Sequence, residues 1–289
     1  MSSSGGLTIS AQTRMLAVLG HPVGHSLSPA MHNAALQAQG VDAVYLAFDV
    51  EPADLPAALD GLRSLGFWGA NVTLPHKERA AELVDSLDPL AARVGAVNTI
   101  VNTKGLLIGH NTDVSGFSAA LETVRPEGAA GARCLVAGAG GAARAVLAAL
   151  TAGGAADVRL FNRTTARAES LCRSAREWGG GPCNVVDAAG LAQAAVEADI
   201  IVNATSVGLG VSVKESAIPV DILDSHHVVV DLVYGPRPTL LVTEAIARGA
   251  AAVDGMEMLL SQAANSYRLW TEKEAPVDVM RASVGRAGR

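Results

Sequence analysis

Aromatic residues are scarce in this chain: three Trp, three Tyr and four Phe among 289 residues. Positive charge is short too, with 22 Lys and Arg against 28 Asp and Glu and a formal net charge of −6. Without a basic stripe carrying interleaved aromatics, the residues that neutralise phosphates and stack on bases are missing, so no nucleic-acid partner is expected. No apolar run is long enough to span a bilayer, and no membrane partner is expected. The three cysteines, Cys134, Cys172 and Cys183, are odd in number and form no Cys-x-x-Cys. Neither a disulfide framework nor a zinc site is implied. The histidines show no metal spacing: His226 and His227 are adjacent and would face opposite ways in an extended strand. Met1–Gln12 is rich in Ser and Gly, lacks the apolar core of a signal sequence, and reads as a disordered tail. What remains is the expectation of a cytoplasmic globular protein of one large or two ordinary domains.

Small residues are abundant, most tellingly in Arg133–Arg144, RCLVAGAGGAAR. Leu135-Val136-Ala137 reads as a buried parallel strand, Gly138, Gly140 and Gly141 as a turn, and Ala142–Leu150 as an apolar helix. Glycine lets the backbone turn tightly and approach a pyrophosphate, and the helix N-terminus offers free N–H groups and positive dipole. Gly138-x-Gly140-x-x-Ala143 fits the dinucleotide fingerprint, and the strand before and helix after distinguish it from a plain packing turn. The second strand, Asp157–Phe161, ends in Asn162-Arg163-Thr164. An acidic residue there would bind the ribose 2′-OH of NAD. Here Arg163, with Arg167 one turn on, favours a 2′-phosphate and hence NADP, against the alternative of solvated helix charges.

Strand and helix signals alternate along the rest of the chain. Strands are predicted at Met15–Leu19, Val44–Phe48 and Gly69–Thr73. Helices are predicted from Ser28, as N-cap, with Pro29 at the first position, to Gly40; over Pro52–Leu65; and from Pro75. Val97–Val101 and Leu106–Ile108 form a hairpin around Lys104-Gly105, and Val114–Val124 a helix. Further strands fall at Asn184–Val186, Ile200–Val202, Val228–Leu232 and Ala251–Val253, with a helix over Pro238–Arg248. The last helix, Met256–Trp270, carries Met256, Leu259, Leu260, Ala263, Tyr267 and Trp270 as a core stripe.

Candidate chemistry lies in loops that follow strands, where α/β sites are built. Ser26 and Ser28, at a helix start, can donate hydroxyls to a carboxylate, although Ser28 could serve only as a cap. Lys77 falls in the first turn of its helix. There the dipole disfavours a cation, which suits a group that gives and takes protons, although a solvated lysine is the commoner fate. Asp113 follows the hairpin and could form a dyad with Lys77 or merely cap a helix.

Taken together, the chain resembles the shikimate dehydrogenase family over Met15–Thr271. The matching stretches are Gly20-x-Pro22-x-x-His25-Ser26-x-Ser28-Pro29-x-x-His32-Asn33, Asn71-Val72-Thr73-x-Pro75-x-Lys77 and Gly95-Ala96-Val97-Asn98-Thr99. They continue with Asn111-Thr112-Asp113, Gly138-Ala139-Gly140-Gly141-Ala142, Asn162-Arg163-Thr164, Asn203-Ala204-Thr205-Ser206-Val207-Gly208, Asp254-Gly255-Met256 and Gln262. The resemblance implies two α/β domains: a substrate-binding catalytic domain over 1–113 and 255–289, and a Rossmann-type NADP-binding domain over 114–254. It implies reversible reduction of 3-dehydroshikimate to shikimate with NADPH. Lys77 and Asp113 would be the catalytic pair. Ser26, Ser28 and Tyr234 would bind the substrate carboxylate, and Thr73, Asn98 and Gln262 its ring hydroxyls. Gly138, Ala139, Gly140, Gly141, Ala142, Asn162, Arg163, Thr164, Arg167, Thr205 and Gly255 would hold NADP. No metal is implied, and the assembly would be a monomer or homodimer. Leu232 stands where the family often has Met. Ser28 stands where quinate-preferring relatives often carry Thr, which favours shikimate without excluding quinate or aminoshikimate. A non-catalytic dinucleotide sensor need not retain both Lys77 and Asp113.

Overall fold

The computed structural model describes residues 9–179, 181–209, 214–235 and 237–287. The predicted tail up to residue 8 lies outside them; from Ile9 to Gln12 the chain has no helix or strand, only a turn. The chain divides into two compact units, one made of residues 1–112 with 263–289 and the other of 113–262.

The first unit is built on a mixed six-stranded sheet. Its strands are β1 (Arg14–Gly20), β2 (Ala43–Asp49), β3 (Gly69–Val72), β4 (Ser86–Leu87), β5 (Thr99–Thr103) and β6 (Leu106–His110). They are ordered β2-β1-β3-β5-β6-β4. Its helices are α1 (Ser28–Ala38), α2 (Leu55–Ser64), α3 (Lys77–Leu83) and α4 (Pro89–Val94). Successive strand residues alternate between the faces. Ala17, Leu19, Ala70, Val72, Ile100 and Leu107 pack with Leu55, Leu59 and Leu62 of α2, Ala80 of α3 and Ala91 of α4. The β5–β6 hairpin closes through Lys104 and Gly105, both at positive φ (55° and 91°). That is the tight turn whose twist matches the strands it joins.

Several local expectations are corrected here. Ser28 is the first residue of α1 rather than its cap, and no side chain caps that end; Ser26 Oγ instead accepts the Ser28 N–H at 3.3 Å. Pro75 does not open a helix: α3 begins at Lys77, and the Leu74–Pro75 peptide is cis.

The second unit carries a parallel six-stranded sheet ordered β12-β11-β10-β7-β8-β9. The strands are β7 (Arg133–Ala137), β8 (Asp157–Phe161), β9 (Cys183–Val186), β10 (Ile200–Asn203), β11 (Val228–Asp231) and β12 (Ala251–Val253). This is the doubly wound dinucleotide-binding order, in which the direction of strand addition reverses beside β7. Helices α5 (Asp113–Val124), α6 (Gly141–Ala152), α7 (Thr165–Glu177), α8 (Leu191–Glu197) and α9 (Leu240–Ala247) cover it. Leu135, Ala137, Ile201 and Val229 face Leu191 and Ala194 of α8 and Leu241 and Ala245 of α9. Helix α10 (Gly255–Thr271) starts in this unit and ends in the first, where α11 (Val277–Ala287) packs on α1.

Two further corrections concern side chains. Cys172 of α7 and Cys183, the first residue of β9, form a disulfide, with Cα atoms 5.4 Å apart. The tally of three thiols could not reveal it, because helix packing brings the two together; Cys134 is the free one, buried, its thiol pushed up to about 12 by burial. His226 and His227 are not in a strand but in the turn before β11, their rings 3.8 Å apart.

Candidate active site

In the first unit β5 runs against β3 and β6 against β5, Asn71 pairing with Thr99 and Thr99 with His110. The C-terminal ends of β1, β3 and β6 and the N-terminal end of β5 therefore share one end of the sheet. Three loops that the sequence singles out leave from it, and the segment carrying Asn98 enters there. After β1 comes the loop with Ser26, half-buried, and Ser28, buried. It lies against the loop after β3, for a Cβ on Gly20 would stand 2.4 Å from Thr73 Cγ2. Thr73 takes the Leu19 carbonyl through its N–H at 2.9 Å. Lys77, half-buried, starts α3, and its carbonyl accepts the Val97 N–H at 2.9 Å, which ties that helix to the approach to Asn98. Asn98 itself is buried, with its Oδ1 accepting from the Thr112 N–H at 2.8 Å. Asp113, next along the chain, is the buried first residue of α5.

In the second unit Gly138 has φ +117°, and a Cβ there would stand 2.7 Å from the Ala204 carbonyl oxygen. Only glycine allows the β7–α6 turn to lie against the loop after β10. Helix α6 begins at Gly141 with no side chain capping it, and nothing stands within 4 Å of a Cβ built on Gly140. Uncapped N–H groups beside open space at a Gly turn fit a pyrophosphate. Ala139 is buried and Ala142 half-buried in the same turn. At the tip of β8, Arg163, Thr164 and Arg167 are exposed, and Asn162 Nδ2 donates to the Thr164 carbonyl at 2.9 Å. Neither Arg163 nor Arg167 has a carboxylate partner among the described residues. Two unpaired guanidinium groups where a 2′-phosphate would lie fit NADP.

Two expected cofactor residues have structural work of their own. The Thr205 hydroxyl donates to Asn203 Oδ1 at 2.7 Å and accepts the Val207 N–H at 3.0 Å. Gly255 meets the Leu232 carbonyl, 2.2 Å from where its Cβ would stand. Tyr234 follows β11 half-buried, and burial raises its phenol above the usual range. Gln262 is buried on α10, its Nε2 donating to the Leu259 carbonyl at 2.9 Å.

Family profiles match three successive stretches: a shikimate dehydrogenase substrate binding domain over residues 18–100, a shikimate/quinate 5-dehydrogenase domain over 120–239 and a shikimate 5′-dehydrogenase C-terminal domain over 255–284. The chain belongs to the shikimate dehydrogenase family. It is 49% identical over 277 residues to the shikimate dehydrogenase (NADP(+)) of Moorella thermoacetica, spanning 95% of this chain and 93% of that one. The Thermus thermophilus shikimate 5-dehydrogenase, solved with NADP(H) and shikimate, superimposes with a TM-score of 0.83 at 40% identity, covering 95% of this chain and 99% of that one. A quinate dehydrogenase from Corynebacterium glutamicum, solved with NAD, gives a TM-score of 0.87 at 36% identity over 95% and 99% of the two chains. Within the shikimate dehydrogenase family, the two-domain α/β fold, oxidoreductase chemistry and NADP dependence read from the sequence all stand. No helix among the described residues is long and apolar enough to cross a membrane.

Outside these loops, Asp224, His226 and His227 bring three possible metal-ligand atoms within 4.8 Å of one another. The lone pair of His227 Nδ1 is already taken by the Asp224 N–H at 3.0 Å, while its Nε2 meets the Ala195 carbonyl at 3.0 Å. The cluster is thus a hydrogen-bonded turn. Sequence reasoning missed a different group: Tyr45, Thr99 and Ser266, which meet Asn71 beneath Asn98. Ser266 could have been found as a polar residue four places after Gln262, between the stripe residues Ala263 and Tyr267.

Proposed function

We propose that this protein catalyses the reversible, NADP-dependent interconversion of 3-dehydroshikimate and shikimate. The observation that carries the reading is the gathering of the Ser26/Ser28, Thr73/Lys77, Asn98 and Thr112 segments at one end of one sheet, in a chain of this family. Ser26, Ser28 and Tyr234 hold the substrate carboxylate by hydroxyl donation. Thr73, Asn98 and Gln262 hold ring hydroxyls. Gly138–Ala142 and the α6 N-terminus receive the pyrophosphate, Asn162, Arg163, Thr164 and Arg167 the 2′-phosphate side, and Thr205 and Gly255 line the same site. Bound NADP(H) supplies or accepts the hydride.

Reduction places negative charge on the former carbonyl oxygen. The Lys77 ammonium stabilises that charge and gives the oxygen its proton, and Asp113 orients Lys77 and accepts from a substrate hydroxyl. In the oxidative direction the same groups take the proton away. Serine at both 26 and 28 favours shikimate as substrate without excluding quinate. The setting we propose is the cytoplasm, a reducing compartment in which the Cys172–Cys183 bond is a buried one.

One kinetic series tests this. Lys77→Ala is expected to lower kcat about 10²–10⁴-fold with a much smaller change in the KM for shikimate. Asp113→Asn should lower kcat too, and the double variant should lose far less than the product of the two. Arg163→Ala should raise the KM for NADP+ roughly tenfold or more and leave that for NAD+ nearly unchanged. A Lys77→Ala enzyme with near wild-type kcat would overturn the mechanism, and equal effects of Arg163→Ala on both cofactors would overturn the phosphate site.

A further inference from the structure

Beneath the sheet end that carries the proposed site, five elements of the first unit contribute to one buried polar cluster. Tyr45 comes from β2, Asn71 from β3, Thr99 from β5, Thr112 from the end of the loop after β6, and Ser266 from α10. Each is at least nine-tenths buried, so each polar atom needs a partner from within the protein. None of the proposed substrate contacts accounts for Tyr45, Asn71 or Ser266.

The direction of the bonds can be read from groups that only donate or only accept. The Asn98 backbone carbonyl only accepts, and Asn71 Nδ2 lies 3.0 Å from it. That fixes the Asn71 amide with nitrogen toward Asn98 and oxygen toward the Tyr45 hydroxyl, which donates to it at 2.7 Å. Asn71 Nδ2 also reaches Ser266 Oγ at 3.0 Å and Thr99 Oγ1 at 3.1 Å. Having accepted from Asn71, Ser266 can pass its own proton to Thr99 Oγ1 at 2.7 Å, and Thr99 can donate to Asn98 Oδ1 at 3.1 Å. The Thr112 N–H, a donor only, meets the same Oδ1 at 2.8 Å. The chain of bonds thus ends on the Asn98 amide oxygen and holds it as an acceptor for protein donors. Any substrate oxygen that Asn98 grips is therefore gripped through Nδ2, as by a donor, alongside the bond that Nδ2 gives to Thr112 Oγ1 at 2.9 Å.

Tyr45 is itself held. The His32 ring stacks on it with centroids 4.4 Å apart and planes 11° apart, and Trp270 lies 5.3 Å from His32 and 6.0 Å from Tyr45. Burial pushes the His32 imidazole down to about 3, so it is a neutral platform at any working pH.

We propose that Ser266, Asn71 and Tyr45 are positioning residues for substrate binding, fixing the orientation of the Asn98 amide through this buried chain of hydrogen bonds. The proposal rests on the reading that Asn98 holds a substrate hydroxyl. It assigns to α10 a second contribution to the site, four residues beyond Gln262.

The test uses the full chain and measures kcat and KM for shikimate at saturating NADP+, with a melting curve for every variant. Ser266→Ala removes the middle of the chain, and Tyr45→Phe removes its first donor while keeping the stacked ring. Each is expected to raise the KM for shikimate roughly three- to tenfold, the worth of about one hydrogen bond. The kcat and the KM for NADP+ should stay within about twofold, the pattern of lost uniform binding. Asn98→Ala should raise the shikimate KM further, and adding Ser266→Ala to it should change little, because the relayed effect has lost its endpoint. Two outcomes overturn the positioning role alone: lower melting temperatures with an unchanged shikimate KM in both single variants, or a Ser266→Ala effect that multiplies fully with Asn98→Ala. If Asn98→Ala itself leaves the shikimate KM unchanged, the assignment of Asn98 fails, and the positioning proposal fails with it.

Discussion

Asp231 shows how a buried charge sets a residue-level pH response. It ends β11, fully buried, and accepts from Asn203 Nδ2 at 2.8 Å, the Val233 N–H at 3.0 Å and the Thr239 hydroxyl at 2.6 Å. Burial nevertheless outweighs these donors and raises its carboxyl above the usual range, with Asp254 adding a little. The stability it contributes is therefore full at pH below the unfolded carboxylate value of about 4 and is lost as pH rises through the raised folded value. Above both, the folded protein carries the cost of a charge in an apolar setting. Asp231→Asn should escape that cost. Its oxygen can keep the Asn203 and Val233 bonds, and its amide nitrogen can donate to Thr239. We expect a melting temperature at pH 7 equal to or above wild type, and a flatter decline as pH is raised from 4 to 7. A drop of several degrees at pH 7 would show that the carboxylate is worth more than its burial costs. Sequence alone gave no hint of this group, because a lone Asp at a strand end looks like any turn residue. Lys77, Ser26 and the glycines can be singled out in the sequence because their motifs carry spacing as well as identity. Ser28 was misread as a cap because the loop before it curls so that Ser26 takes the N–H instead.

Among the elements, α7 and β9 are joined covalently by Cys172 and Cys183, eleven positions apart. A denatured protein kept from reducing agent should present one reactive thiol, from Cys134, and three after reduction. Intact mass before and after alkylation counts them. Closing a loop of this length stabilises by roughly 2–3 kcal/mol in the chain-entropy picture. Reduction is therefore expected to lower the melting temperature of the second unit by roughly 5–10 °C. Three thiols in the unreduced, denatured protein would remove the cross-link altogether. The element map shows where pattern reading works. β7, β10 and β11 are apolar runs bounded by turns, and α10 has a buried stripe at helical spacing, so all of these were legible. Short elements were not: α4 is six residues long and β4 two, and neither shows a period. α4 owes its start to Asp88, whose side chain accepts the Ala91 N–H at 2.7 Å. α11 escaped notice because its partner is α1, at the other end of the sequence.

At the scale of the whole molecule, the second unit is one continuous stretch, residues 113–262, with its own parallel sheet and core, whereas the first is assembled from two stretches. The continuous stretch expressed alone is expected to fold and to bind NADP+ within about tenfold of the full chain, with no measurable affinity for shikimate. Calorimetric titration with each ligand reads both. An unfolded fragment, or one that binds shikimate, would contradict the division. The split of the first unit also dictates the order in which a newly made chain can be finished. Its sheet leaves the ribosome early, but Trp270, buried on it, follows only after an insertion of about 150 residues. At roughly 5–20 residues per second, that is a wait of about 10–30 s. Throughout it, the face that Trp270 closes by donating to the Ile100 carbonyl at 2.9 Å stays bare. The middle of the chain can meanwhile complete its own core. The protein is thus finished from the inside of its sequence outward, the late-made α10 sealing the first-made sheet, and the bare interval is when a nascent chain has most need of a chaperone.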